Sequence, residues 1–160
     1  MSWRHRIRPD SGGGVILRIP KRERSVIASA AIKLRSQLDG DLADPDLRRL
    51  FPPAYEDLAD ESEYQRLMHD ELLDGRRGSL ATIVDTLELD RLDREEADAW
   101  LTALNDLRLV LGTRLDVTQA TFDGGLDATD PRAHELAVYA YLSWIQEQLI
   151  EAMSERYATD

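Results

Sequence analysis

Residues 93–115 read DREEADAWLTALNDLRLVLGTRL, and the reading of this stretch decides the fold class. Ala97, Trp100, Leu101, Leu104, Leu107, Leu111 and Leu115 recur at the spacing that lays one apolar face along an α-helix. Asp93 with Glu96 makes a capping-box start, in which each side chain satisfies a backbone N–H left open by the first turn. Asn105, Asp106 and Arg108 interrupt the apolar positions. Buried polar groups on a helix need partners, so these three are read first as a structural hydrogen-bond network. A small-ligand pocket near Asn105 and Arg108 is the alternative.

Outward from this helix the pattern stays helical. Residues 116–130 are polar and Gly-containing and form a loop, and Asp130-Pro131 then opens a last helix. Within it Leu136 to Ile145 is apolar at every position except Ser143, as in a helix central to a core or shared with a partner surface. On the other side, a helix runs from about Ser62 to Leu87 with Tyr64, Leu67, Met68, Leu72, Leu80, Ile83, Val84 and Leu87 as its apolar positions. Gly75 and Gly78 each cost about 1 kcal/mol relative to Ala and mark where it would break. The acidic run at residues 56–63 is expected to be exposed.

Asp44-Pro45 is a cap followed by Pro at the first helical position, which starts a short helix through Leu50 ended by Phe51-Pro52-Pro53. Pro20 opens an earlier helix, carried by Val26, Ile27, Ala30, Ala31, Leu34 and Leu38 and stopped at Gly40. Before it, residues 3–8 and 15–19 read as two short strands around the turn-rich Pro9-Asp10-Ser11-Gly12-Gly13-Gly14. A lone hairpin is marginal in water, so this one must pack on something. The expectation is a mainly α protein: a bundle of about five helices with an N-terminal β-hairpin packed on it. No linker divides the 160 residues, so one domain is expected, with residues 1–19 as the hairpin and 20–157 as the helical bundle.

Charge narrows the function classes. The net charge is -11, yet residues 1–24 hold seven Lys or Arg against Asp10 and Glu23, a local +5 that leaves -16 on the rest. An acidic body repels phosphate backbones, which argues against direct nucleic-acid binding. The basic segment is expected to dock on the protein's own acidic helices. No apolar run follows Arg4, Arg6 and Arg8, and no stretch approaches the roughly 20 apolar residues of a membrane span. A cytoplasmic protein without membrane association is expected.

Catalytic chemistry finds little support. With no cysteine, thiolate zinc sites are excluded. The histidines are His5, His69 and His134, and none has the second ligand that a zinc-protease helix or a di-iron bundle would need. His69-Asp70-Glu71 are successive residues on a helix and point in different directions. Gly12-Gly13-Gly14 precedes a strand rather than a helix, so it is no phosphate loop. No catalytic residue, cofactor or metal ligand is assigned. An enzyme with a carboxylate-based metal site stands as an alternative, because such a site leaves no clear signature.

Two segments suit a partner surface instead. Leu47 to Tyr55 combines Arg48, Arg49, Phe51 and Tyr55 around a Pro-Pro turn, and Arg and aromatic residues are enriched at binding hot spots. Tyr141 and Trp144 belong to a helix whose aromatics cannot all face one core, so a homodimer or hetero-interface is the second use of them. The simpler role for Phe51, Tyr55 and Trp144 is to complete the core.

The string Trp100 to Leu115, the Leu47–Tyr55 segment and the Tyr141–Leu149 segment with Trp144-Ile145-Gln146-Glu147 together resemble an actinobacterial family long labelled a domain of unknown function. The order of the segments matches as well, and the resemblance covers almost the whole chain. Members of that family are also named actinobacterial oxidative-stress regulators, which bind a transcription factor or sigma factor, and their genes commonly sit beside the gene for the Clp protease adaptor. The resemblance implies a non-catalytic regulatory protein that binds a protein partner, with an accessory role in Clp-dependent proteolysis as the alternative. The family's redox response depends on a cysteine pair, and this chain has none.

The charge distribution yields a direct test. Purified protein is expected not to shift duplex DNA at physiological salt, as checked by gel mobility. A tight, sequence-specific shift would overturn the reading of the charge.

Overall fold

The computed structural model describes residues 5–51, 62–125 and 127–158. Two short strands, β1 (Ile7–Pro9) and β2 (Val15–Leu17), lead into α1 (Lys21–Asp39). A 3-10 turn over Pro45–Leu47 follows. Then come α2 (Ser62–Asp85), β3 (Arg91–Leu92), α3 (Arg94–Arg114) and α4 (Ala133–Ala158). The protein is mainly helical, as the spacing of apolar residues indicates. The expected residues 3–4 of the first strand, and the Pro52-Pro53 and 56–61 segments, lie outside the described residues.

α3 is the hub, with α1, α2 and α4 all packed on it. This explains why its burial exceeds one stripe: Ala97, Trp100, Ala103, Leu104, Leu107, Val110 and Thr113 are all buried. The capping box forms as expected, the Glu96 N–H donating to Asp93 Oδ1 at 2.7 Å and the Asp93 N–H to Glu96 Oε1 at 2.9 Å. Trp100 is wholly buried, and its Nε1–H donates to Thr86 Oγ1 at 2.8 Å, so the indole leaves no orphaned donor. At the far end Asp116 takes a left-handed conformation (φ 52), and the Val117 N–H returns to the Gly112 carbonyl at 2.9 Å.

Two expectations need correcting. There are four α-helices among the described residues, because the segment after Asp44 makes only a 3-10 turn. Asp44 caps it through the Asp46 N–H at 3.0 Å. Its backbone bonds then run from Leu47 to Asp44, Arg48 to Pro45 and Leu50 to Leu47, each spanning three residues. That geometry eclipses side chains three apart, which buries Leu47 and Leu50 on the same side against the core. The second correction is the sheet. It has three antiparallel strands in the order β1-β2-β3, not two, because Arg91–Leu92 pairs with the open edge of β2.

The hairpin is part of the core. Ile7, Val15, Leu17 and Ile19 are buried in the same cluster as Leu104 of α3 and Leu149 of α4. β1 packs on α4. On its outer edge the Arg6 and Ile7 N–H groups donate to Gln148 Oε1 at 2.5 and 3.3 Å, so a side chain occupies the edge where another strand would pair. The turn is closed by the Asp10 N–H to Gly14 carbonyl bond of 2.9 Å, with Gly13 at φ +106 where only glycine is unstrained. Gly14 is required for a different reason: a Cβ there would overlap the Leu92 backbone carbonyl. The approach of β2 to β3 therefore depends on the missing side chain.

Gly14→Ala should destabilise the protein by roughly 1–3 kcal/mol through overpacking against backbone. Gly12→Ala, which meets only the Asp10 carboxylate at 3.9 Å, should change stability little. Chemical denaturation of both variants checks this, and each is expected to unfold in a single transition if the chain is one domain.

Candidate partner-binding surface

Of the three polar residues that interrupt the apolar face of α3, Asp106 is buried and Asn105 and Arg108 are half-buried. Asp106 is ion-paired with Arg76 of α2. Burial pushes the Asp106 carboxyl up from its ordinary value, and the Arg76 guanidinium offsets part of that rise. Asn105 accepts from Gln146 Nε2 of α4 at 3.3 Å. These two contacts tie α3 to α2 and to α4. They are the hydrogen-bond network expected of Asn105 and Asp106, and at 1% exposure Asp106 is out of reach of a ligand.

Of the turn residues, Arg48 and Arg49 are exposed. Phe51 is buried, its ring 4.8 Å from that of His69 and 5.8 Å below the Arg76 guanidinium. Phe51 therefore seals the Arg76–Asp106 pair on α2 and serves the core. Tyr55 lies outside the described residues.

Tyr141 and Trp144 sit elsewhere, one turn apart on α4, with ring centroids 6.1 Å apart. Both are half-buried. The Arg6 guanidinium stacks over Trp144 at 5.4 Å and grips Glu23 of α1 with two bonds of 2.9 Å. This is a bidentate pair, the stronger geometry for Arg and a carboxylate. Burial raises the Tyr141 hydroxyl pKa, and the neighbouring Glu23 charge reinforces the rise. Burial is the largest single influence on Glu23 and works against its ionisation, but the hydrogen bonds from Arg6 and Tyr141 and the Arg6 charge together outweigh it and hold the carboxyl below its ordinary value. The basic start of the chain thus meets acidic groups at Arg6–Glu23 and, beyond its own segment, at Arg24–Asp90, 3.4 Å apart. The ring contacts of Phe51 are with α2, and those of Tyr141 and Trp144 are with each other and with Arg6.

One surface was not legible as such. Met68 and Leu72 of α2 are exposed at 42% and 45%, although they read as core positions. The buried face of α2 instead runs through Leu73, Leu80 and Ile83. Met68 and Leu72 line a shallow groove of about 480 Å³ with Gly75, Ser79 and Thr102. Arg76 joins this groove to the Phe51 turn. No periodic signal marks it, because Leu72 stands eleven residues before Ile83, about three turns, and so falls on the same stripe. Among the described residues no three His, Asp or Glu side chains converge as a metal site requires, and no helix is long and apolar enough to cross a membrane.

The family model described as Domain of unknown function (DUF2017) matches residues 4–153. The chain is 35% identical over 128 residues to the AosR protein of Mycobacterium leprae, covering 69% of this chain and 58% of that relative. It is 32% identical over 125 residues to the oxidative stress regulator AosR of Mycobacterium tuberculosis, covering 67% and 57%. The AosR of Mycobacterium bovis gives the same figures. The chain thus spans a little under three fifths of the length of these relatives. No solved structure gives a significant match.

The Arg6–Glu23 clamp makes a pH prediction. A folded-state value below the unfolded value of about 4.5 means that the ionised carboxylate adds stability above that pH. The contribution is lost as pH falls through the folded value. Glu23→Gln should cost roughly 1–2 kcal/mol at neutral pH. It should also flatten the fall in stability below about pH 4.5, as measured by denaturant titration across acid pH. A variant with the wild-type acid profile would show that the clamp adds nothing.

Proposed function

From the fact that the chain belongs to the DUF2017 family, we propose that it is a non-catalytic regulatory protein that acts in a stress response by binding a protein partner, a transcription factor or sigma factor. The observation that carries this is the likeness, over 125 to 128 residues, to relatives named oxidative stress regulators. The surface chemistry supports it. Met68 and Leu72 present apolar side chains to solvent beside a turn that exposes Arg48 and Arg49. An apolar centre with flanking arginines is the composition of a binding hot spot. Arg48 and Arg49 would take the charged rim of the contact, and Tyr55 belongs to the same segment of the chain. Tyr141 and Trp144 hold the hairpin from their buried sides and offer their outer edges as a second contact, either to the partner or to a second copy of the chain.

With no cysteine, this chain cannot itself switch between thiol and disulfide. A response to oxidation would reside in the partner, with this chain as the binding half.

Cross-linked capture from host cells, with the full chain as bait, tests the proposal. A transcription or sigma factor should be recovered, and Met68→Asp or Arg49→Glu should cut its recovery by about tenfold while the melting temperature moves by no more than about 2 °C. Capture that survives both substitutions would remove this surface from the account. Failure to recover any such factor would remove the function.

A further inference from the structure

The outer side of α1 is chemically unlike the rest of the molecule. On a chain of net charge -11, Lys21, Arg22, Lys33 and Arg35 are exposed on this helix. The one carboxylate between Lys21 and Ser36 is Glu23, and it is held by Arg6. The only other carboxylate of the helix, Asp39 at its end, is paired with Arg77, so the basic face has little acidic counterweight.

This face borders a groove. α1 and α4 both pack against α3 and make little contact with each other, so they stand as two walls over an α3 floor. Between them lies an opening of about 470 Å³. Val26 and Ala30 of α1, Leu111 of α3 and Val138 of α4 make it apolar. Ser25, Ser29 and Ala30 are small and allow close approach to α1. The groove continues past Ala30 and Leu111 into a narrower recess over Leu107 and Leu142, which ends at Gln37. From Ser25 to Gln37 the α1 wall is roughly 18 Å long, about three turns of helix. The rim carries Lys33 on the α1 side and His134 and Glu135 on the α4 side, and Arg114, which borders the narrower recess, lies 3.6 Å from Glu135.

We propose that this α1–α3–α4 groove is a docking site for an acidic amphipathic helix of a partner protein. Its apolar anchors enter at helical spacing over Val26, Ala30, Leu111 and Val138. Its flanking carboxylates meet Lys33 and Arg22, and compete with Glu135 for Arg114. An apolar floor with a basic rim along one wall is an arrangement by which grooves take helices, the floor giving affinity and the charged rim giving orientation and on-rate. The site rests on the reading of the chain as a partner-binding protein, but it uses a different surface from the α2 stripe.

The test uses the full chain and a fluorescent amphipathic helical peptide of about 16 residues, with Leu at i, i+4, i+7 and i+11 and Glu on both flanks. A second peptide has every Glu replaced by Lys. Anisotropy should show the acidic peptide binding at least about tenfold tighter than the basic one, with affinity falling as salt rises. Lys33→Glu, at an exposed position, should weaken it about tenfold without moving the melting temperature. Ala30→Arg should block it by filling the groove, and Met68→Asp should leave it unchanged. Equal binding of the two peptides, or an affinity indifferent to Lys33→Glu, would overturn the proposal. Loss of binding with Met68→Asp but not Lys33→Glu would also overturn it and move the helix to the α2 surface. Peptide binding without capture of a transcription or sigma factor would sustain the groove and sink the wider function, so the two failures are separable.

Discussion

The guanidinium of Arg24 is the joint on which the arrangement of elements depends. It is buried near the start of α1, and it donates to the Ile19 carbonyl at 2.7 Å and to the Leu87 and Leu89 carbonyls at 2.8 and 2.9 Å. Ile19 leads out of β2, and Leu87 and Leu89 belong to the turn that leaves α2. One side chain therefore satisfies three carbonyls from two distant segments. A planar group with several fixed donors can do this, and a single ammonium cannot replace it. The consequence is β3: with the α2 exit held beside β2, the Asp90 carbonyl accepts the Leu17 N–H at 2.7 Å and Arg91–Leu92 pair along the β2 edge.

From this joint the rest follows in sequence. The sheet is fixed, Gly14 lets β2 approach β3, and Gln148 with the Arg6–Glu23–Trp144 contacts closes the sheet onto α4. Inside, α3 is enclosed by three helices, where Asp106 meets Arg76 and Asn105 meets Gln146, while Asp106 Oδ2 and Arg108 Nε are buried without a hydrogen-bond partner among the described residues. A buried ion pair of this kind adds little net stability, but removing one partner strands the other charge. The pair favours one arrangement of α2 on α3. A scaffold fixed in this way is the frame for the surfaces proposed above: the α2 stripe, the turn before it and the groove beside α1.

How much of this could be read from the residues differs by element. The α3 helix and its capping box, the hairpin and the loop after Leu115 follow from local patterns, because local chemistry decides them. β3 does not, since two residues carry no periodicity and the strand exists through pairing with β2 and the distant Arg24. The Asp44-Pro45 start was legible, but its 3-10 geometry depends on placing Leu47 and Leu50 together on the core. Gly75 and Gly78 suggested a break, yet α2 runs through both, where a Cβ would meet nothing within 4 Å. Met68 and Leu72 read as core because they are apolar at helical spacing. Their exposure reflects the packing of Leu73 and Leu80, which an apolar count cannot distinguish. In the sequence Phe51 stands out beside Arg48 and Arg49, and Tyr141 and Trp144 as aromatics of a helix that cannot turn them all to one core. The structure sets Phe51 under Arg76 and Trp144 under Arg6, while the Tyr141 ring contacts Trp144. The groove depends on which helices do not touch, and no local pattern in the chain records that.

The central claim is that Arg24 makes the N-terminal sheet an integral part of the folded scaffold. Amide hydrogen exchange at Leu17 in Arg24→Lys tests it most directly. Lysine keeps the charge and most of the stem but cannot reach three carbonyls at once. The account predicts a loss of roughly 2–3 kcal/mol in global stability, with the Leu17 amide losing more of its protection than amides in the middle of α3. Leu17 protection and a melting temperature equal to those of the wild type would contradict it, and would show that apolar packing alone holds the sheet.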